Sequence, residues 1–413
     1  MNQRALAILL TLLLALTAAA SLSAQALGRE VTVSGLDNEK FLPSVAYNVD
    51  RGEYLVVWHN YWGGLRDIYG ARLDRFGKLL STFTVASGAN DRAQPAAAYD
   101  LVHDRYLVVW IYDYHGNGSD WDLRGRLIPW NGPDPALTEF TIYDATDSQW
   151  NPKVAYSTGD DEFLVVWTNT SAAPASVSLR LVASDGTPGY AATLAGDGAN
   201  DYLNPALVYN QLRNEYLVAY EVNQVDVAVR RVYSPGTFTS EVMVANWPDA
   251  ESRPAVAACP GQNQWLVAWQ NSDPDIYVRF LNGDSSVDGG PVEIIVAPGI
   301  DRTPAVACLP GGAQYLVPWE YEYAGGLFGI VGQRIGINKG LIGGAMEIRP
   351  VYGGQTRNAK SPAVVGGFLG WSVAWVQERD GSAYSDIHAK MAWALFADDF
   401  ETGNAGMWSA VVP

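Results

Sequence analysis

Six residues carry most of the ligand chemistry that this sequence offers: Trp62, Asp91, Arg92, Arg253, Asp301 and Arg302. A guanidinium presents a planar fork of donors that matches a carboxylate, and Arg92, Arg253 and Arg302 loosely imitate the arginine cluster used to hold one. An exposed indole such as Trp62 stacks on the apolar face of a sugar or a peptide, while charges fix its orientation. Catalysis asks for more: a group with a tuned pKa held at the reacting atom. No G-x-S-x-G elbow, no H-E-x-x-H and no S-x-D-x-G-x-x-W box occurs. His59, His103, His115 and His388 fall at unrelated positions and imply no shared metal site. A glycosidase pair needs only two carboxylates at a suitable separation, and with 44 acidic residues the sequence leaves that option open.

The elements that position these residues are repeated. Pro43–Trp58 reads PSVAYNVDRGEYLVVW, and related segments begin at Pro95, Pro152, Pro205, Pro254, Pro304 and Pro362, the last one shortened. Strand-rich repeats about 40–50 residues long are the mark of a β-propeller. Each repeat holds four strand-like pieces. The PxVAY piece tolerates proline at its start. The EYLVVW piece is apolar on both faces, as expected where neighbouring blades cover both sides. A third piece opens with Asp67, Asp122, Asp226, Asp275 or Asp386, and a fourth resembles TFTVAS (82–87). After the last third piece no fourth follows, whereas REVTVSG (29–35) offers one. The expected fold is an all-β, seven-bladed propeller closed by its N-terminal strand, since closure removes open sheet edges. A β-solenoid, the rival, has no need of a displaced first strand.

These units resemble the tandem repeats of secreted bacterial propellers, of the form P-x-V-A-Y…Y-L-V-V-W…D-I-Y-G. The resemblance spans residues 29–393 and implies a fold and a compartment, with no defined activity. The end, LFADDFETGNAGMWSAVVP (395–413), resembles a short sorting or anchoring tail of secreted bacterial proteins, with Asp399 where that pattern has glycine.

The expected organisation is a signal peptide over 1–26, a propeller over 27–393 (with 27–42 supplying the outer strand of the last blade) and a tail over 394–413. Arg4, the apolar run Ala5–Ala20 and Ala24-Gln25-Ala26 form the signal and its cleavage site; a membrane anchor is the competing reading. No other stretch is apolar enough to span a bilayer. The net charge of −17 argues against nucleic acid or anionic membrane as partner. Cys259 and Cys308 stand at the same level of consecutive repeats, as a candidate disulfide or as two small buried hydrophobes. Asp398, Asp399 and Glu401 are the candidate ligands for calcium, short of a full oxygen shell; otherwise no cofactor is expected.

With strand directions alternating, the loops before each first strand and those after each second strand share one face of the disk. Charge and aromatics concentrate there. The reading is a secreted, monomeric, non-catalytic propeller that binds an extracellular glycan or protein on that face. Alternatives are a carbohydrate-active hydrolase at the channel mouth and a structural cell-surface module. The repeated Trp58, Trp110, Trp167, Trp269, Trp319 and Trp375, with Tyr220 in the fourth repeat, read as packing between blades rather than as a ligand site.

Overall fold

The computed structural model describes residues 27–393 except 147, 171–172, 295–298, 312–313, 324, 352–356 and 380–381. The segment expected to be a signal peptide, the C-terminal tail and its three calcium-ligand candidates lie outside the described residues. Within them no helix is long and apolar enough to cross a membrane.

The chain forms seven antiparallel sheets. Blade 1 is built from Glu39–Asn48, Glu53–Trp62, Leu65–Leu73 and Leu79–Ala86. Blades 2 to 6 repeat the pattern with inner strands starting at Arg92, Gln149, Tyr202, Glu251 and Asp301. Blade 7 combines Ala359–Gly367, Gly370–Glu378 and Ser385–Trp393 with the N-terminal strand Val31–Ser34. Val31 pairs with Ala389 and Thr32 with His388, so the first strand closes the ring as the repeat pattern predicts. The inner strands of successive blades contact one another around the axis.

The core is divided into seven clusters, each between two blades. Every repeated Trp, and Tyr220, is at most 1% exposed and faces the preceding blade. Cations add a second bond across the seams. Arg126, Arg180, Arg230 and Arg279 donate to the carbonyls of Val85, Ile142, Leu194 and Val244 in the preceding blade, at 2.6–2.8 Å. Lys390 reaches Ile348 O at 2.9 Å. Blade 1 has Ala71 at this position, so its seam is fastened differently. The Lys40 side chain is fully buried there, and its ammonium donates to the carbonyls of Leu36 (2.6 Å) and Ser385 (2.8 Å).

Cys259 and Cys308 form a disulfide between blades 5 and 6, with Cα atoms 5.1 Å apart. The turns after the inner strands are held by a tyrosine hydroxyl. Tyr99, Tyr156 and Tyr209 donate to Asp104, Asp161 and Asn214, each of which has positive φ. Asp and Asn accept that conformation more readily than other residues do.

Candidate ligand-binding face at the channel mouth

Proline at the head of each inner strand builds the mouth. The residue before it has a φ of 48–56° in all seven blades: Leu42, Gln94, Asn151, Asn204, Arg253, Thr303 and Ser361. A β-bulge or a break in the ladder lies at each of these positions. Left-handed backbone is costly for leucine and threonine, and such strain persists only where surroundings impose it. The surroundings here are the preceding blade. The amides of Asn204, Arg253, Thr303 and Ser361 donate to Thr168 (3.0 Å), Glu221 (2.6 Å), Gln270 (3.3 Å) and Glu320 (2.8 Å). Each acceptor directly follows the repeated aromatic of its own blade. Around the rim the side chains then link to one another: Asn151 to Asn204 at 2.6 Å, Asn204 to Glu221 at 2.9 Å, and Arg253 to Thr303 at 3.1 Å. Sequence reasoning missed this ring. Its signal is the column of residues preceding the repeated proline.

The six residues singled out in the sequence divide into two groups. Trp62 is 64% exposed at the tip of a hairpin whose turn, Gly63-Gly64, has φ of 63° and 92°. Two positive φ values in succession are what a tight turn between twisted strands demands. Arg253 is also exposed, on the rim itself. The other four are turned into the wall. Asp91 accepts from Arg66 N at 2.7 Å and Arg66 Nη1 at 2.5 Å. Arg92 is buried, bonded to Asn90 O at 2.7 Å and packed against the Tyr112 ring. Arg302 is held by Glu320 at 2.7 Å and lies 3.6 Å from the centre of the Phe328 ring. Asp301 is 1% exposed. The arginines therefore have separate partners and do not form one carboxylate clamp. Of the other aromatic residues in the loops of this face, His59, Trp121 and Tyr321 are buried, whereas Tyr61 and Tyr114 are exposed.

Several other apolar side chains of the blade 1 rim are exposed: Leu36, Phe41, Leu42, Tyr61 and Leu65. Phe41 stacks on the buried His59 ring, 5.2 Å between centres, and Arg66 lies over Tyr61 at 5.4 Å. Burial drives the His59 pKa down to about 3, so this imidazole is neutral at ordinary pH. Phe41, His59 and Tyr61 share the face of blade 1 turned towards blade 2, whereas Trp62 stands on the other face with Trp58, so exposed aromatics flank the hairpin on both sides.

Three residues before the repeated proline stands a column that is buried in every blade: Lys40, Arg92, Gln149, Tyr202, Glu251, Asp301 and Ala359. At blades 1, 2, 5 and 6 it meets the aspartate opening the third strand of the preceding blade. At blade 1 this makes an ion pair, Lys40–Asp386, at 3.8 Å. At blade 2 desolvation raises the pKa of Asp67, opposed by a bond from Gly88 N at 3.2 Å and by the charge of Arg92. At blades 5 and 6 the column is acidic, so carboxyl meets carboxyl. Desolvation, with Asp226 and Asp249 adding repulsion, pushes Glu251 up to about 7. Desolvation, with Asp275 adding repulsion, pushes Asp301 to about 7 as well, and the neighbouring Trp319 indole only partly opposes this.

One group with the composition of a cation site occurs among the described residues: Asp100, His103 and Asp161, on the opposite face. It is engaged internally. Asp100 accepts from the amides of Val102 and His103 and from Arg105, and Asp161 accepts from Tyr156.

No protein-family model matches the chain, and no curated protein matches its sequence. Solved structures do match. The propeller domain of the Trilobed protease from Pyrococcus furiosus, described as having an open velcro topology, is 7% identical. That match covers 90% of this chain and 99% of that one, with a TM-score of 0.50. A puromycin hydrolase is 12% identical with a TM-score of 0.54, and the match covers 86% of this chain but only 54% of that one. An N10 neuraminidase-like protein from a bat influenza virus is 8% identical over 75% of this chain and 98% of that one, with a TM-score of 0.47. At these identities the first two likenesses show the propeller fold and nothing further.

Proposed function

We propose that this protein is a secreted, non-catalytic propeller that captures an extracellular ligand, a glycan foremost, on the blade 1 side of its channel mouth. The observation that carries the reading is the set of exposed apolar residues on the blade 1 rim, Phe41, Leu42, Tyr61 and Trp62, beside polar rim groups. Exposed apolar clusters of this kind mark binding surfaces. Rigid aromatic rings stack on sugar faces at little entropic cost, and rim groups such as Arg253 supply orientation. The Ala24-Gln25-Ala26 cleavage pattern supports export.

A hydrolase is the second reading, favoured by one observation: Glu251 and Asp301, in consecutive blades, both titrate near neutral pH. Their burial, at 0% and 1% exposure, argues against contact with a substrate. The test is a glycan and peptide array probed with the mature protein, beside a panel of glycosides, sialosides, esters and peptides. Glycan binding lost on Trp62→Ala, with no turnover, supports the proposal. Binding to peptides alone would make the ligand a protein. A hydrolytic rate abolished by Asp301→Asn would establish the hydrolase instead.

A further inference from the structure

Three cations stand together at Trp393, where the described part of the chain ends. Trp393 closes the third strand of blade 7, on the face opposite the Trp62 hairpin. Its ring lies 6.3 Å from that of Phe76, in the turn between the third and fourth strands of blade 1. Phe76 is 62% exposed, and Leu80 on the following strand is exposed as well. The turn is seated on blade 7: a Cβ placed on Gly77 would lie 3.1 Å from Met391 Cγ. Arg75 and Lys78 belong to this turn, and both side chains are exposed. Exposed Arg29 is brought to the same strand end, because the amide of Gly28 before it donates to Met391 O at 2.7 Å. The one carboxylate in the turn, Asp74, is spent on the amides of Phe76 and Lys78, both at 2.9 Å.

No described residue pairs with the side chains of Arg29, Arg75 or Lys78. That is unusual in this molecule. Other surface cations are engaged, as Arg51 is by Asp104, Arg72 by Glu53, Lys339 by Asp288 and Arg379 by Asp37. In a protein of net charge −17, three neighbouring cations are left without an acid. The next acids along the chain are Asp398, Asp399 and Glu401, interleaved with Phe396 and Phe400. Residue 401 lies eight positions beyond Trp393, a reach of up to about 27 Å. We propose that residues 395–401 fold back over the blade 1 turn. Phe396 and Phe400 cover Phe76 and Leu80, and the three carboxylates meet Arg75, Lys78 and Arg29. So docked, the segment clamps the closing strand, the last strand and blade 1 together. The site lies on the face opposite the ligand rim and does not rest on the reading of that rim.

The experiment is hydrogen exchange, read by mass spectrometry, on the full mature protein and three variants. One reverses the turn (Arg75→Glu with Lys78→Glu), one reverses the tail (Asp398→Lys, Asp399→Lys and Glu401→Lys), and one carries both sets. In the parent the amides of 395–401 should exchange at least about tenfold more slowly than in a free peptide of that sequence, as several weak charge pairs acting together would give. Either reversal alone should abolish the protection, and the two together should restore it. Absence of protection in the parent, or protection that survives reversal of the turn alone, would overturn the proposal. Protection that fades on dilution would overturn it too, making the occupant a second copy of the chain. If the variants do not fold, the parent still decides: 1 M salt should cut the protection severalfold by screening the pairs, and unchanged protection would contradict the proposal.

Discussion

The rim over blades 1 and 2 and the rim over blades 5 and 6 share the same columns of the repeat but differ in charge and exposure. On the first side the buried column sets cations, Lys40 and Arg92, opposite the carboxyl groups of Asp386 and Asp67. Above it the surface opens into Trp62, Tyr61, Phe41 and Leu42. On the second side the column carries Glu251 and Asp301 against Asp226 and Asp275. That side is braced by the Cys259–Cys308 disulfide and exposes no comparable aromatic cluster among the described residues. Since strand pairing and the repeated aromatics are shared by both, the fold does not require either arrangement. The first half has freed its surface for contact. The second has put unfavourable charge inside and covered it.

The largest effect is expected at the seam that closes the first half. Deleting Leu27–Gly35 removes the strand paired with Ser385–Trp393 and the Leu36-side cradle of Lys40 loses its support. Aggregation, or a fall in melting temperature of well over 10 °C, should follow in calorimetry. Next comes the shared core. Trp110→Ala should cost roughly 3–5 kcal/mol in denaturant unfolding, as for other deleted buried aromatics, and should leave ligand affinity unchanged. A variant as stable as the parent but unable to bind would move Trp110 from core to site.

The buried column separates the halves directly. Lys40→Ala should destabilise by about 1–3 kcal/mol at pH 7, because the buried carbonyls of Leu36 and Ser385 lose their donor while Asp386 keeps Arg379. Asp301→Asn should do the reverse at pH 8. Asp301 and Glu251 have folded pKa values of about 7, above the unfolded values of about 4. Their stabilising contribution is therefore complete below about pH 4, declines as pH rises, and is gone above about pH 7. Melting temperature in the parent should fall across that window. The fall should be smaller in Asp301→Asn and in Glu251→Gln, and unchanged in a Trp62→Ala control.

Much of the fold was legible in the sequence, because a strand sandwiched between blades must be apolar on both faces and the EYLVVW pattern says so seven times over. The displaced closing strand was legible for the same reason: 29–35 repeats a pattern that the last repeat lacks. The site was legible only in part. A repeat places Arg92, Asp301 and Arg302 in rim loops, but whether a side chain turns out or in depends on partners from other blades. Glu320 claims Arg302, and Arg66 claims Asp91. The left-handed residues before each proline were illegible because proline disfavours helical backbone in the residue before it, whereas here the preceding blade holds that residue in place.

The central claim, that the blade 1 rim is the binding half, is tested most directly by comparing two substitutions on one face. Affinity for an array-selected ligand should be measured for Trp62→Ala and for Ile300→Ala, an exposed apolar residue on the blade 6 side. Truncating an aromatic anchor typically costs tenfold or more in affinity, and truncating an uninvolved surface residue costs little. The prediction is a loss of about tenfold or more for Trp62→Ala and less than about twofold for Ile300→Ala, with both melting temperatures unchanged. Full affinity in Trp62→Ala, or a large loss in Ile300→Ala, would contradict it.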